Sequence, residues 1–108
     1  MENYKLLNER NDWNEFANIP TIRKTYIVNE EEYNGFMLET LGYTSQSEKH
    51  EEHMYCMITY IKHNNNELEY IPGAGTNVKL SIRKAKKWLD KNGEGLLNGT
   101  KQYQHKST

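Results

Sequence analysis

Residues 53–62, with the sequence HMYCMITYIK, constrain the fold more than any other segment of the chain. Side chains on a β-strand alternate between two faces. One face of this segment would carry Met54, Cys56, Ile58 and Tyr60, and the other Tyr55, Met57, Thr59 and Ile61. Both faces are largely apolar, and aromatic and β-branched residues are frequent. The segment therefore predicts a central strand that is covered on both sides.

Two further segments have the composition of strands. Residues 22–28 are rich in β-branched and aromatic types, and residues 67–71 alternate between apolar and polar side chains. The HNNN sequence at 63–66 is typical of a turn, because asparagine tolerates left-handed backbone angles. Residues 54–71 are therefore expected to form a β-hairpin, and the sheet is expected to extend near residues 43–46.

Residues 30–41 predict a first helix. Asn29 and Glu32 have the spacing of a capping box, and three glutamates lie in the first turn, where the helix dipole favours negative charge. The apolar side chains that recur at helical spacing are Tyr33, Phe36, Met37 and Leu41. Gly42 would end this helix, and Gly35 inside it would cost up to about 1 kcal/mol.

A second helix is expected over residues 79–91. Its apolar stripe, at helical spacing, consists of Val78, Ile82, Ala85 and Leu89. The adjacent Asn92 and Gly93 are typical of a helix C-terminus, so the helix is expected to end there.

The glycine-rich sequence before this helix has two interpretations. Gly73, Ala74 and Gly75 could place backbone N–H groups around a phosphate at the helix N-terminus. However, the segment lacks the glycine and lysine spacing of a P-loop and the third glycine of a dinucleotide-binding loop. A tight turn with Thr76 or Asn77 as the helix N-cap is the preferred interpretation.

Together these segments predict a two-layer α+β fold with a small, mainly antiparallel sheet. The strands would be residues 22–28, 53–62 and 67–71, and the two principal helices residues 30–41 and 79–91. Residues 1–97 would form a single domain and residues 98–108 a flexible polar tail. Because the helices are few, one sheet face would be incompletely covered. Apolar side chains left there would be a candidate partner surface.

Length and composition indicate the cellular context. A chain of 108 residues is long enough for one domain with a hydrophobic core. No apolar run approaches the roughly 20 residues of a membrane span, and no secretory leader is recognisable. Cys56 is the only cysteine, so no internal disulfide is expected. These features predict a cytoplasmic protein that does not enter the membrane.

Charge is divided unevenly along the chain, although the net charge is only −1. Residues 1–54 carry five basic and eleven acidic side chains, whereas residues 55–108 carry nine and four. Six of the basic residues lie within the second helix, where Trp88 could add stacking interactions. A partner is therefore expected to contact Lys79, Arg83, Lys84, Lys86, Lys87, Trp88 and Lys91.

Other kinds of site have weaker support. His50, His53 and Cys56 are zinc-ligand types in an H-x-x-H-x-x-C pattern. Three-residue spacing suits neither a helix nor a strand, and no fourth ligand is clear, although Glu51, Glu52 or His63 could serve. The thiol of Cys56 lies in a strand predicted to be buried, where it would be inert. We therefore expect no catalytic residues, no metal and no cofactor.

One stretch carries a resemblance. Residues 26–45, YIVNEEEYNGFMLETLGYTS, resemble the strand, acidic helix start and Gly-Tyr exit of small bacteriophage and mobile-element proteins. Thirteen asparagines and eight tyrosines are similar to the composition of proteins from such AT-rich genomes. The resemblance covers about a fifth of the chain and transfers no functional residues. It implies a protein that binds and inhibits a host enzyme, such as a CRISPR nuclease.

The expected function is that of a non-enzymatic protein that binds a macromolecule through the basic helix or the uncovered sheet face. Its partner would be a host protein or a protein–nucleic acid complex, and binding would modulate or inhibit a host enzyme such as a defence nuclease. The alternative is a nucleic-acid-binding module that uses Lys79, Arg83, Lys86 and Lys87. Added salt separates the two, because it steeply weakens phosphate contacts.

Overall fold

The computed structural model describes residues 4–72 and 75–97 of the chain. These residues form a five-stranded antiparallel sheet followed by one helix. The elements are β1 (Lys5–Asn14), β2 (Ile19–Tyr33), β3 (Phe36–Gln46), β4 (His53–His63), β5 (Asn66–Ile71) and α1 (Val78–Leu97). Each strand pairs with the next one along the chain, so β3 lies at the centre of the sheet and β1 and β5 lie at its edges.

Two-residue turns rich in asparagine connect two of the strand pairs. Asn34 and Gly35, between β2 and β3, have φ angles of 51° and 89°. Asn64 and Asn65, between β4 and β5, have φ angles of 53° and 66°. A type I′ turn requires positive φ at both central residues, and its twist matches that of an antiparallel strand pair. The hairpin expected over residues 54–71 is therefore confirmed.

Residues 30–41 are not helical, and the prediction of two principal helices is wrong. They form the end of β2, the Asn34–Gly35 turn and the first half of β3. Within β3, Phe36 and Leu38 are buried, whereas Met37 between them is exposed. Strand pairing on both sides of β3 and a favourable turn outweigh the local helix signals, because a short helix gains little without tertiary contacts.

The hydrophobic core lies between α1 and the β3–β4 part of the sheet. Phe36, Leu38 and Ile61 from the sheet and Ala85 and Leu89 from α1 are at most 3% exposed. Leu38 and Ile61 lie directly opposite each other on adjacent strands. Full burial of such a side chain is worth about 1.5–3 kcal/mol, so this small cluster holds α1 on the sheet.

A pair of threonines lies within the same layer. Thr40 and Thr59 are direct partners on β3 and β4, and neither is exposed to solvent. Their Oγ1 atoms are 2.9 Å apart, and either hydroxyl can donate. Water does not reach this position, so each hydroxyl depends on the other for a hydrogen bond.

The helix α1 begins as expected and ends later than expected. The Oδ1 atom of Asn77 accepts a hydrogen bond from the backbone N–H of Leu80 at 2.9 Å, which confirms the N-cap interpretation. The helix then continues past Asn92 and Gly93. A Cβ atom at Gly93 would lie 3.2 Å from the Phe36 ring, so this glycine allows the close approach of the sheet instead of ending the helix.

The loop between β3 and β4 is held by Glu52. Its Oε2 atom accepts hydrogen bonds from the hydroxyls of Tyr26 at 2.6 Å and Thr44 at 2.9 Å. Burial acts to raise the pKa of Glu52, but these hydrogen bonds and the charge of Lys24 outweigh it, so its pKa lies below the ordinary value. Burial and the bond to Glu52 raise the pKa of Tyr26 to about 12, which keeps its hydroxyl a donor.

The sheet face opposite α1 is covered by no helix or strand of residues 4–72 and 75–97, and is termed the open face. Because Leu38 and Ile61 face α1, the alternate residues of β3 and β4 face away from it. The apolar and aromatic side chains of the open face include Ile27, Met37, Leu41, Tyr43, Cys56, Ile58, Tyr60 and Tyr70, and Tyr55 joins them beside Arg23 because the β3–β4 register shifts at this point. The prediction that β4 is covered on both sides is therefore wrong.

The remaining predictions of architecture concern the tail and the membrane. The tail expected over residues 98–108 lies outside the described residues. Among the residues that the structure describes, no helix combines the length and the apolar character needed to cross a bilayer.

Candidate partner-binding surface

Four basic side chains form a row along the exposed side of α1, and this row is termed the basic ridge. Its members follow one another at four-residue intervals and are all exposed: Lys79, Arg83, Lys87 and Lys91. Four residues of an α-helix advance about 6 Å along its axis, so the ridge is about 18 Å long. The ridge is the part of the predicted basic surface that the fold leaves accessible.

The orientation of the ridge follows from the burial of α1. Each ridge residue precedes a buried residue by two positions, and the buried row consists of Ser81, Ala85, Leu89 and Gly93. Two positions correspond to a rotation of about 200°, so the ridge points away from the sheet along its whole length. Of the predicted apolar stripe, Ala85 and Leu89 are fully buried and Ile82 packs against the core.

The other predicted contact residues do not belong to this surface. Lys86 forms an ion pair with Glu31 of β2, and its Nζ atom lies 5.1 Å from the centre of the Tyr33 ring. Lys84 and Trp88 are half-buried, and Trp88 packs against the core. The fold thus gathers four of the seven predicted residues into one exposed row and uses the other three partly for internal contacts.

The charges of the ridge are not balanced by ion pairs within the described part of the chain. No carboxylate of residues 4–72 or 75–97 forms an ion pair with a ridge side chain. Like charges four residues apart destabilise a helix by about 0.2–0.5 kcal/mol per pair, and neighbouring ridge residues repeat that arrangement along α1. The stability of α1 therefore does not explain the ridge.

Carboxylates border the ridge along one side, next to the row of α1 that contains Lys86. Glu31 is paired with Lys86, and Asp90 accepts a hydrogen bond from the Tyr33 hydroxyl at 2.7 Å. That hydrogen bond raises the pKa of Tyr33 above its ordinary value. Glu94, one turn further along α1, is exposed. The positive surface is therefore a narrow band with negative groups along one side, not a broad basic face.

The open face is the second candidate surface, and tyrosines dominate it. The hydroxyls of Tyr43 and Tyr60 are 3.1 Å apart, and the rings of Tyr60 and Tyr70 have centres 6.1 Å apart. Arg23 lies with its guanidinium 5.8 Å from the centre of the Tyr55 ring and donates to the Tyr55 hydroxyl at 3.3 Å. Burial raises the pKa of Tyr43, so its hydroxyl remains protonated at neutral pH.

The residues considered for other chemistry are dispersed. His50 lies in the β3–β4 loop, His53 begins β4, and Cys56 is half-buried on the open face. In the described part of the chain, no three His, Cys, Asp or Glu side chains are grouped so as to hold a metal ion. Gly73 and Ala74 of the glycine-rich loop lie outside the described residues.

Sequence reasoning did not single out the tyrosines of the open face. Tyr43, Tyr60 and Tyr70 lie at strand positions whose side chains point to the same face of the sheet. The sequence shows the tyrosines, but the register that brings them together depends on pairing between distant segments. No protein-family model, curated protein or solved structure matches this chain. Its function is therefore inferred from its own surfaces.

Proposed function

We propose that this protein is a non-enzymatic binding protein whose basic ridge docks against an acidic surface of a host protein or protein–nucleic acid complex. Binding of this kind would modulate or inhibit the partner. The observation that carries the proposal is the row of Lys79, Arg83, Lys87 and Lys91, exposed and without ion pairs in the described structure.

Charge complementarity supports a protein partner. A row of hydrated cations that no carboxylate of the described residues neutralises gains most when it meets acidic groups on another molecule, which also steer the encounter. A protein surface can match the narrow positive band and avoid Glu31, Asp90 and Glu94 beside it. The resemblance of residues 26–45 to phage proteins suggests the class of partner, such as a defence nuclease, and contributes nothing else to the proposal.

Nucleic acid is the second candidate partner, and the accessible ridge favours it as well. A duplex is a uniform polyanion, however, so it would meet the bordering carboxylates together with the ridge. One of the four residues expected to contact phosphates, Lys86, is already paired with Glu31. These features make a mixed-charge protein surface the better match.

Affinity capture from the native host with matched charge variants tests the proposal. The ridge variant carries Lys87→Glu, and the control carries Lys49→Glu, an exposed lysine of the β3–β4 loop. Both variants change the net charge equally. A partner protein retained by the wild type and the control should be lost at least tenfold in the ridge variant. Equal recovery with both variants would contradict the proposal.

Fluorescence anisotropy with a short DNA duplex separates the two candidates. Four phosphate contacts would give a slope of about −3.6 when the logarithm of affinity is plotted against that of salt concentration. We expect no saturable binding at physiological salt. Saturable binding with this slope, lost in the ridge variant and kept in the control, would replace the proposal with nucleic-acid binding.

A further inference from the structure

We infer that the open face is an interface between two copies of this chain, which pack sheet against sheet in a two-fold symmetric dimer. Three observations carry the inference: an apolar row at the centre of the face, the distribution of charge at its two ends, and the area of the face. None of them depends on the proposed role of the basic ridge.

The centre of the open face is a row of aliphatic side chains. Ile27, Leu41 and Ile58 lie directly opposite one another on β2, β3 and β4, and each is half-buried. Tyr43 and Tyr60 border the row, and their hydroxyls contact each other. Aliphatic and tyrosine side chains without charged groups at the centre are typical of the core of a protein–protein interface.

The two ends of the open face carry opposite charge. At one end, Arg23 and Arg10 share Asp12, with nitrogen–oxygen distances of 2.8 and 3.7 Å. The other end, where Lys62 pairs with Glu39 at 2.9 Å, has an excess of carboxylates that comprises Glu30, Glu32, Glu39 and Glu67. The face is therefore weakly positive at one end of its strands and negative at the other.

A single two-fold rotation brings the aliphatic rows of two copies together and also places their oppositely charged ends against each other. A two-fold axis between the sheets, perpendicular to the strands and over the aliphatic row, places that row against its own copy. It also turns the second copy end for end, so that Arg23, four positions from the aliphatic row, faces Glu32 of the other copy, with Glu30 two residues away from that carboxylate. An isologous interface must be self-complementary in this way, and sheets packed face to face lie about 10 Å apart.

The single chain contains an unfavourable pair that the dimer relieves. Glu30 lies directly opposite Glu39 on the open face, and like charges at opposite positions of a sheet destabilise it. Lys62 pairs with Glu39 and leaves Glu30 without an ion pair among the described residues. Arg23 of the second copy, opposite Glu32 and two residues from Glu30, offsets part of the negative charge at this end of the sheet.

The area of the open face suits a dimer of ordinary size. Five strands spaced about 4.8 Å apart and about nine residues long along the face span roughly 24 by 30 Å, or about 700 Å² for each copy. Stable interfaces bury about 800 Å² on each partner. In this arrangement α1 forms the outer layer of each copy, so both basic ridges remain accessible.

Sedimentation equilibrium tests the inference on the full chain. We expect the wild type to sediment with twice the monomer mass of 12.8 kDa and a dissociation constant of about 10 μM or lower. Ile58→Lys, which places a charge in the aliphatic row, should weaken the dimer at least tenfold. Phe16→Lys, at a fully exposed turn position, is the matched control and should leave the dimer unchanged.

A second variant keeps the test independent of folding defects. Glu30→Arg removes the repulsion between Glu30 and Glu39 within the chain, yet adds a positive charge two residues from Glu32, which Arg23 of the second copy faces. We expect the dimer to weaken about threefold while the circular dichroism spectrum stays unchanged. A wild type that stays monomeric up to about 1 mM would overturn the inference, as would equal dimerisation of Ile58→Lys, Glu30→Arg and the control.

Discussion

The buried pair of Thr40 and Thr59 gives a prediction in which two substitutions together cost less than either one alone. Thr40→Val keeps the size and β-branched shape of the side chain but removes its hydroxyl. The Oγ1 atom of Thr59, 2.9 Å away and fully buried, then loses its partner. A buried hydroxyl without a partner costs about 1–3 kcal/mol, so we expect each single substitution to destabilise the protein by about 2 kcal/mol.

The double variant, Thr40→Val with Thr59→Val, replaces both hydroxyls by methyl groups that contact each other. We expect its free energy of unfolding to lie within about 1 kcal/mol of the wild type, because no polar atom is left alone. The pair would therefore show a coupling energy of about 3 kcal/mol or more. In a domain of this size, each single variant should melt about 8 °C below the wild type.

Urea unfolding at several protein concentrations, followed by circular dichroism, measures these differences. The slope of free energy against urea concentration should stay constant across the variants, which shows that the unfolding reaction is the same. Thr21→Val is the matched control: Thr21 is 3% exposed, and its Oγ1 atom has no partner among the described residues. This control should be neutral or stabilising by up to about 1 kcal/mol. A double variant that loses the sum of the two single effects would refute the reasoning.

Three further predictions concern the core, a turn and the β3–β4 loop. Leu38→Ala, at a position with no solvent exposure, should lower the free energy of unfolding by about 2–5 kcal/mol in urea titrations, and a loss below 1 kcal/mol would contradict the assigned core. Gly35→Ala should cost about 1–2 kcal/mol because Gly35 has a φ of 89°, and an unchanged melting temperature would argue against the turn. Because the pKa of Glu52 is lowered in the folded state, its ionised form stabilises the protein above the unfolded pKa of about 4.3, and this contribution is lost as the pH falls through the folded value. Glu52→Gln should therefore be less stable than the wild type at pH 7, and the difference should shrink at pH 3.

Local patterns in the sequence were sufficient to predict several of the strands and the helix α1. The strands expected at 22–28, 53–62 and 67–71 lie within β2, β4 and β5, because β-branched and aromatic residues with a period of two suit a pleated, half-buried surface. The second helix was also correctly predicted, since its period and its Asn77 cap are local properties.

The prediction of a first helix over residues 30–41 is wrong, and the physical reason lies in the turn between β2 and β3. Tyr33, Phe36 and Leu41 have helical spacing, and the same spacing is compatible with a hairpin that turns at Asn34 and Gly35. The Asn-Gly pair was the decisive signal, because it forms a type I′ turn at little cost. Pairing of β3 with both neighbouring strands then supplies contacts that no short window of sequence contains.

By itself, the sequence determined the charge of α1 and its amphipathic character, because both depend only on residue type and the period of a helix. Tertiary structure decided which charges are accessible. Glu31, which is distant from α1 in the sequence, forms an ion pair with Lys86, whereas Lys79 and Lys87 remain exposed. It also decided that the sheet has one open face and that tyrosines from three strands meet there. Those outcomes depend on strand order and register, which arise from contacts between segments distant in sequence.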